Sequence, residues 1–302
     1  MKKILILILL SLSSFSQNVS LNNDFIYNDF RSKIILGKVD NFSSLTIRPI
    51  NFSEIINSNY NNINSLYKTV LEKKNIELKL LPINYIIDFN SHHPYNRNNG
   101  SLIPNRGYQH LISTGIFLKV GPLSMKINPE HHYSQNKKFD GFWEGHYSKI
   151  WAERYKLWNH SDIPERFGEK RHNQKLIGQS NIKFSFGKIS LGISNENLWW
   201  GPSIRNSIMM SNHAEGFKHI TFNTNSPIET FFGNIEWQII TGRLEASGYT
   251  PPRTDMEHAG TKLYVRKQTQ NTVYDDWRYL QAYIITISPI FIKNFSFGVI
   301  RW

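Results

Sequence analysis

Apolar and polar residues alternate with a period of two in several separate stretches of the chain. In one stretch Ile182, Phe184 and Phe186 alternate with Lys183 and Ser185. The same alternation follows directly at 189–194 and recurs at 112–128, 234–239 and 283–299. Successive side chains of a β-strand point to opposite faces, so this pattern predicts strands with one apolar face and one polar face.

The alternation predicts about nine strands. They cover residues 76–89, 109–120, 123–129, 179–186, 188–194, 218–224, 233–247, 278–287 and 293–302. Tight turns near 121–122, 187–188 and 288–289 alternate with long polar links near 90–109, 131–177, 195–216 and 248–276. Such alternation of short and long links is typical of outer-membrane barrels. We therefore predict an all-β fold, a transmembrane antiparallel outer-membrane β-barrel, with a soluble β-sandwich as the alternative.

Residues 53–75 carry a different pattern, because their apolar residues recur at helical spacing. Ser53 can cap such a helix, and Lys73 and Lys74 suit its C-terminal end. We predict an N-terminal periplasmic segment at 17–75 with this amphipathic helix, followed by a barrel domain at 76–302. The helix either plugs the barrel floor or lies solvated against the rim. An odd strand number does not close a bacterial barrel, so we expect further strands after residue 302, or else a small barrel with a different strand count.

The first residues match a secretory signal peptide. Lys2 and Lys3 precede an apolar run at 4–10, and Ser14 and Ser16 flank a cleavage site. We predict that residues 1–16 are removed, and the loss of two lysines lowers the formal net charge from +12 to +10. A basic exported chain favours acidic partners such as anionic glycan or phosphate-bearing lipid, and it argues against nucleic acid.

The composition narrows the classes further. Hydrophobic residues make up 40% and aromatic residues 14% of the chain, and the mean hydropathy is -0.41. These values exclude a bundle of transmembrane helices and favour an all-β protein. The chain has no cysteine, so it forms neither disulfides nor thiolate metal sites. The paired histidines 92–93 and 131–132 would point to opposite faces of a strand, and the sequence has no H-E-x-x-H, so we predict no metal site. It also has neither a G-x-S-x-G sequence nor a phosphate loop, so we predict no catalytic residue and no cofactor.

The stretch from Asn195 to Phe217 is the most distinctive part of the chain. Trp199 and Trp200 stand before Gly201-Pro202, directly after a strand predicted to run outward. This order places both indoles at the external rim or just inside the mouth. Aromatic rings there either anchor the barrel at lipid headgroups or stack on the flat face of a sugar ring. Both roles remain open on the residues alone.

The same stretch, ENLWWGPSIRNSIMMSNHAEGF, resembles the Wzi family of capsule assembly proteins. The residues 162–168, DIPERFG, and 227–230, PIET, are also similar to it. The resemblance covers about 76–302 and implies an outer-membrane β-barrel with a periplasmic helical portion. It further implies a lectin-like role in which the protein holds capsular polysaccharide at the cell surface. We therefore predict that the protein is not an enzyme.

From this motif we predict a set of polysaccharide-binding residues. They are Trp199, Trp200, Glu196, Arg205, Asn206 and Asn212. The expected partners are capsular or extracellular polysaccharide, outer-membrane lipid and the polysaccharide export machinery. Two alternatives remain open: an outer-membrane channel for solutes or sugars, and an outer-membrane enzyme that acts on glycan or lipid.

Overall fold

A computed structural model describes most of the chain. The described residues are 18–19, 21, 24–36, 38, 43–51, 67–161, 164–249, 256–263, 277–292 and 295–302, with backbone only at 24–25 and 156–161. The predicted signal peptide and residues 53–66 of the predicted helix lie outside this part. Two helices are described, α1 at Asp24–Ile35 and α2 at Ser148–Ser161. Neither helix is long and apolar enough to cross a membrane.

Strands dominate the described residues, which confirms the all-β prediction. They are β1 Ile47–Arg48, β2 Lys68–Lys73, β3 Ile76–Leu80, β4 Asn84–Asn90, β5 Gly107–Ser113, β6 Ile116–Val120, β7 Leu123–Ile127, β8 Glu130–Ser134, β9 His172–Leu176, β10 Asn181–Phe186, β11 Ile189–Ser194, β12 Trp199–Trp200, β13 His219–Thr224, β14 Ile228–Thr230, β15 Gly233–Glu245, β16 Glu257–His258, β17 Thr261–Lys262, β18 Trp277–Pro289 and β19 Phe297–Arg301.

The strands form one main sheet, in the order β19-β18-β15-β13-β11-β10-β7-β6-β3-β2, with β14 beside β15. A second sheet has the order β4-β5-β8-β9, and two short pairs join β1 to β12 and β16 to β17. All of these pairs are antiparallel. Within the described residues the main sheet is open, with β2 and β19 at its edges. The long links 91–106, 135–171, 195–218 and 246–276 therefore share one end of the sheet.

The second sheet continues four strands of the main sheet past a bend. Two glycines and two prolines mark the bend, at positions 82, 115, 129 and 178. A Cβ on Gly115 would lie 1.8 Å from the carbonyl oxygen of Ile127, so only glycine allows this approach. Gly178 has φ +62, and a Cβ there would lie 2.3 Å from the oxygen of Asn128. The bend explains why the predicted strands 76–89 and 109–120 each appear as two.

Three parts of the predicted secondary structure are wrong. Residues 68–73, assigned to the end of a helix, form β2, which pairs with β3. A bulge between Thr69 and Leu71 shifts the register of β2 against β3. Because a bulge interrupts the strict alternation of a strand, two apolar residues become neighbours and their spacing resembles that of a helix. The link expected at 131–177 contains β8, β9 and α2. The turn expected at 288–289 begins later, because β18 includes both residues.

The main sheet buries its polar side chains and exposes its apolar ones. In β10 the exposed fractions of Ile182, Phe184 and Phe186 are 51%, 45% and 49%. Their neighbours Lys183 and Ser185 are 2% and 1% exposed. β11, β13 and β15 repeat the arrangement with exposed Leu191, Ile193, Ile220 and Ile239 and buried Ser190, Ser194, Thr221, Glu236 and Gln238. This polarity is the reverse of a water-soluble protein.

The polar face is covered by two segments of the chain. One is the inserted segment, the described residues within 18–51, and the other is the motif loop, residues 195–217. Thr46 of the inserted segment bonds to Thr286 in β18, and Asn18 accepts a bond from Lys126 in β7. Val19 and Phe30 are fully buried. Because one segment bonds to widely separated strands and is enclosed there, the main sheet curves around it.

Candidate functional site

A buried ion cluster joins the motif loop to the main sheet. Lys126 in β7 and Lys183 in β10 lie on adjacent strands, and both side chains point to the polar face of the sheet. Asn181 pairs with Lys126 and Lys183 pairs with Ser124, so the two lysines are diagonal neighbours on this face. The Glu196 carboxylate lies between them, with Oε1 3.0 Å from Lys126 Nζ and Oε2 3.9 Å from Lys183 Nζ. All three side chains are at most 3% exposed. The single carboxylate therefore offsets one of the two ammonium charges within the protein.

The inserted segment is attached to the same carboxylate. Asn18 donates from Nδ2 to Glu196 Oε2 at 2.8 Å, and its carbonyl accepts from Lys126 Nζ at 3.2 Å. Burial alone would raise the pKa of Glu196, but the two ammonium groups and the hydrogen bonds outweigh it and lower the pKa to about 2. Glu196 is therefore ionised at neutral pH and holds three parts of the chain together.

The two tryptophans form part of the interior. In β12 they pair with the inserted segment, Trp199 opposite Arg48 and Trp200 opposite Ile47. Trp200 donates from Nε1 to Gln238 Oε1 in β15 at 2.8 Å, and Trp199 donates from Nε1 to the carbonyl of Ser203 at 3.0 Å. The exposed fraction is 0% for Trp200 and 4% for Trp199. The expectation that these rings stand at the rim is wrong, because each indole is packed and hydrogen-bonded inside the sheet.

Arg48 binds the turn that follows the tryptophans. Its guanidinium lies 4.8 Å from the ring centre of Trp199 and donates to the carbonyls of Gly201 at 3.1 Å and Ser203 at 2.6 Å. Beyond the turn, Trp200 and Met209 bond through their backbones at 2.9 Å, so the loop folds back as a closed bend. The residues of the WWGP sequence thus fix the loop to the inserted segment.

The asparagines of the motif connect the loop to its surroundings. Asn197 donates from Nδ2 to Asn212 Oδ1 at 2.7 Å and to the carbonyl of Ala214 at 2.6 Å. Asn212, which is 5% exposed, donates from Nδ2 to the carbonyl of Asn98 at 3.1 Å. The amide of Asn212 therefore joins the motif loop to the link 91–106 and is occupied by protein partners.

Sequence reasoning missed a second carboxylate that holds the inserted segment. Glu236 accepts from Ser43 Oγ at 2.5 Å and from the backbone N–H of Ser44 at 2.8 Å. It lies on the polar face of β15 and is 5% exposed. An acidic residue in the polar register of a strand is the signal that could have identified it, since a buried carboxylate requires donors.

Two of the six predicted binding residues reach the surface. Arg205 and Asn206 are exposed at the end of the sheet that carries the long links. Asn206 Oδ1 accepts from the guanidinium of Arg97, and Asn98 donates from Nδ2 to the carbonyl of Arg205 at 2.8 Å. Tyr95, which lies with Arg97 on the link 91–106, is 67% exposed. We call Tyr95, Arg97, Arg205 and Asn206 the loop surface.

The other four predicted residues, Glu196, Trp199, Trp200 and Asn212, are at most 5% exposed. The structure therefore separates the motif into a buried part that joins segments and an exposed part that can meet a ligand. The adjacent histidines 131 and 132 lie on opposite faces of β8, where His131 contacts Asn173 and His132 contacts Gln109. Within the described residues no group of three or more His, Cys, Asp or Glu side chains is arranged to hold a metal ion.

Comparison with protein families finds one match. The family described as "Capsule assembly protein Wzi" matches residues 106–271, more than half of the chain. The matched part includes the motif loop and all of the strands from β5 to β17. Comparison with curated proteins and with solved structures finds no match.

Proposed function

Because the chain belongs to the capsule assembly protein Wzi family, and so has a capsule-related role, we propose that it is an outer-membrane β-barrel that binds and anchors capsular or extracellular polysaccharide at the cell surface. The observation that carries the proposal is the reversed polarity of the main sheet. A continuous exposed apolar surface of this extent indicates contact with a partner or with lipid. Transmembrane barrels place apolar side chains outward and polar ones inward in the same alternation.

The covered polar face favours an anchoring role over the alternative of a channel. The inserted segment and the motif loop occupy the concave side and are bonded to β7, β10, β15 and β18. A conduit for solutes needs an open polar path, whereas a binding protein needs a stable platform for its external links. An enzyme that acts on glycan or lipid stays the less favoured alternative.

We assign polysaccharide binding to the loop surface. Arg97 and Arg205 can form charge-assisted hydrogen bonds with the carboxylate or phosphate groups of an acidic polysaccharide. Tyr95 offers an aromatic face for a sugar ring, the role that burial denies to the tryptophans. The long links that carry these residues share one end of the sheet, which faces outside the cell in a barrel of this kind.

Replacing Arg97 and Arg205 together by Ala tests this assignment. We expect a several-fold shift of polysaccharide from the cell surface to the medium, with an unchanged amount of protein in the outer membrane. The matched control is Lys188→Ala with Lys149→Ala, which removes the same charge elsewhere and should leave retention unchanged. Retention at the unsubstituted level in both variants would remove the loop surface from the binding role. High conductance of the purified protein in planar bilayers would favour the channel instead.

A further inference from the structure

The outward face of the second sheet changes from apolar to polar along a diagonal line. β4 remains apolar to its end, where Ile87 and Phe89 are 57% and 68% exposed. On β5 the change falls between Ile112 and His110, and on β9 it falls between Ile177 and Lys175. Strands of transmembrane barrels are tilted, so a level membrane surface crosses them diagonally. The second sheet therefore carries the surface at which the apolar band ends.

Aromatic and imidazole rings gather along that line. His110 lies 5.4 Å from the ring centre of Tyr133 in a stacked arrangement, 5.7 Å from Tyr85 and 5.5 Å from Tyr108. His131 lies 6.0 Å from His110. These five rings form a continuous outward surface on three adjacent strands. Flat rings with polar edges suit the boundary between hydrocarbon and water, and their faces can stack on sugar rings.

Cationic side chains border the rings on the next strand. Lys175 is exposed directly opposite His131. Arg171 is exposed directly before β9, two positions before Asn173, which pairs with Tyr133. Lys137 follows β8 and is also exposed. The carboxylate of β8, Glu130, is buried on the opposite face, and β5 and β9 contain no acidic residue. The outward surface of β5, β8 and β9 therefore carries Lys175 and no carboxylate, with Arg171 and Lys137 beside it.

We propose that this outward patch binds a phosphorylated glycolipid of the surrounding outer leaflet. The patch is defined by Tyr108, His110, His131, Tyr133, Arg171 and Lys175. Its three chemistries match the three parts of such a lipid in order. Ile112 and Ile177 face acyl chains, the rings face the sugars, and Lys175 and Arg171 face the phosphate groups. The lipid site presupposes the membrane placement proposed above, since only there does the patch meet a leaflet.

A lipid explains the arrangement better than soluble polysaccharide does. The patch lies on the side wall of the sheet and continues without interruption into exposed apolar side chains. A hydrated polysaccharide gains nothing from those side chains, whereas an amphiphile contacts them with its acyl chains. The loop surface at Arg97 and Arg205 lies on different links, so the two sites can be altered separately.

The test uses the full chain in detergent micelles, with lipid A and its dephosphorylated form as probes. Native mass spectrometry counts retained lipid for the unsubstituted protein and for the double variant Arg171→Ala/Lys175→Ala. Each cation at a membrane surface contributes about 1 kcal/mol, so we expect a roughly 30-fold weaker affinity of the variant for lipid A. The control double variant Lys149→Ala/Lys188→Ala removes the same charge away from the patch and should bind as the unsubstituted protein does.

Several outcomes decide the matter. The site is supported if the protein retains the phosphorylated probe preferentially and the patch variant loses this preference. The variant Arg171→Lys/Lys175→Arg, which keeps both charges, should retain it. Equal lipid A binding by the patch variant and the unsubstituted protein overturns it. Loss of soluble polysaccharide binding with unchanged lipid binding also overturns it and assigns the patch to the glycan. Flotation of the same proteins with vesicles reports membrane insertion, so a failure of the proposed barrel is seen independently.

Discussion

In β10 and β11 the side chains that face the inserted segment are serine, asparagine and lysine, and those that face away are isoleucine, leucine and phenylalanine. Two of the inward groups show the contacts that hold this face: Lys183 faces Glu196, and Ser190 donates to Asn223 at 3.2 Å. The outward groups are about half exposed. The difference shows that polar contacts hold the inward face, whereas the outward apolar side chains stay about half exposed among the described residues.

Glu196→Gln is the change that should damage the inward face most. It leaves the ammonium groups of Lys126 and Lys183 buried without a countercharge, so we expect a loss of about 3–5 kcal/mol in unfolding free energy. Urea unfolding in lipid vesicles measures it. The control Glu229→Gln breaks an exposed pair with Lys188, 3.3 Å apart, and should cost about 0–1 kcal/mol. Equal costs for the two variants would mean that the buried cluster does not hold the inward face together.

Acid should weaken the inward face through the same carboxylate. Its pKa is about 2 in the folded protein against an ordinary value of 4.5. A lowered pKa adds stability that is complete above 4.5 and is lost as the pH falls toward 2, about 3 kcal/mol in all. Unfolding free energies are measured at about pH 6, 4 and 2.5, and they should decline more for the unsubstituted protein than for Glu196→Gln. Parallel declines would exclude Glu196 as the cause.

Phe184→Arg tests the outward face. A cation facing the middle of a bilayer costs about 2–4 kcal/mol, so we expect less folded protein in the outer membrane and a lower urea midpoint. Phe184→Leu keeps the face apolar and serves as the control. An arginine that is tolerated as well as leucine would show that water, not hydrocarbon, surrounds this position.

Trp200→Phe should have a smaller effect on the inward face. It removes the donor to Gln238 while it keeps an aromatic ring, so we expect a loss of about 1–3 kcal/mol from the unsatisfied acceptor. Trp143→Phe is the matched control, because Trp143 is 67% exposed. Their unfolding midpoints in urea should differ clearly, and coincident midpoints would remove the structural role of the Trp200 hydrogen bond.

The alternation of residues predicted most of the main sheet, because one face is apolar and the other polar in nearly every strand. The prediction failed where local geometry intervened. A bulge at Thr69 to Leu71 gave β2 a helical spacing, and β8 and β9 carry histidine, tyrosine and lysine outward, which resembles a polar loop. Those residues resemble a loop because they lie beyond the apolar band, so the failure itself marks the boundary.

The candidate site was predictable only in part. The string around Trp199 and Trp200 identified the family, yet it could not show which members are buried. Their partners Arg48 and Gln238 are 151 and 38 residues away from Trp199 and Trp200 respectively. Contacts over such separations depend on how the sheet curves, which alternation does not encode. The loop surface was half identified, since Arg97 belongs to a link that carries no motif.

Hydrocarbon contact of the outward face is measured most directly with single cysteines, because the chain has none of its own. A fluorophore is attached at Phe184→Cys and, separately, at Lys188→Cys in the adjacent short turn, and the protein is placed in vesicles containing lipids brominated on their acyl chains. We predict strong quenching at position 184 and weak quenching at position 188. Equal, weak quenching at both positions, with a water-soluble quencher reaching both, would contradict a membrane-embedded sheet.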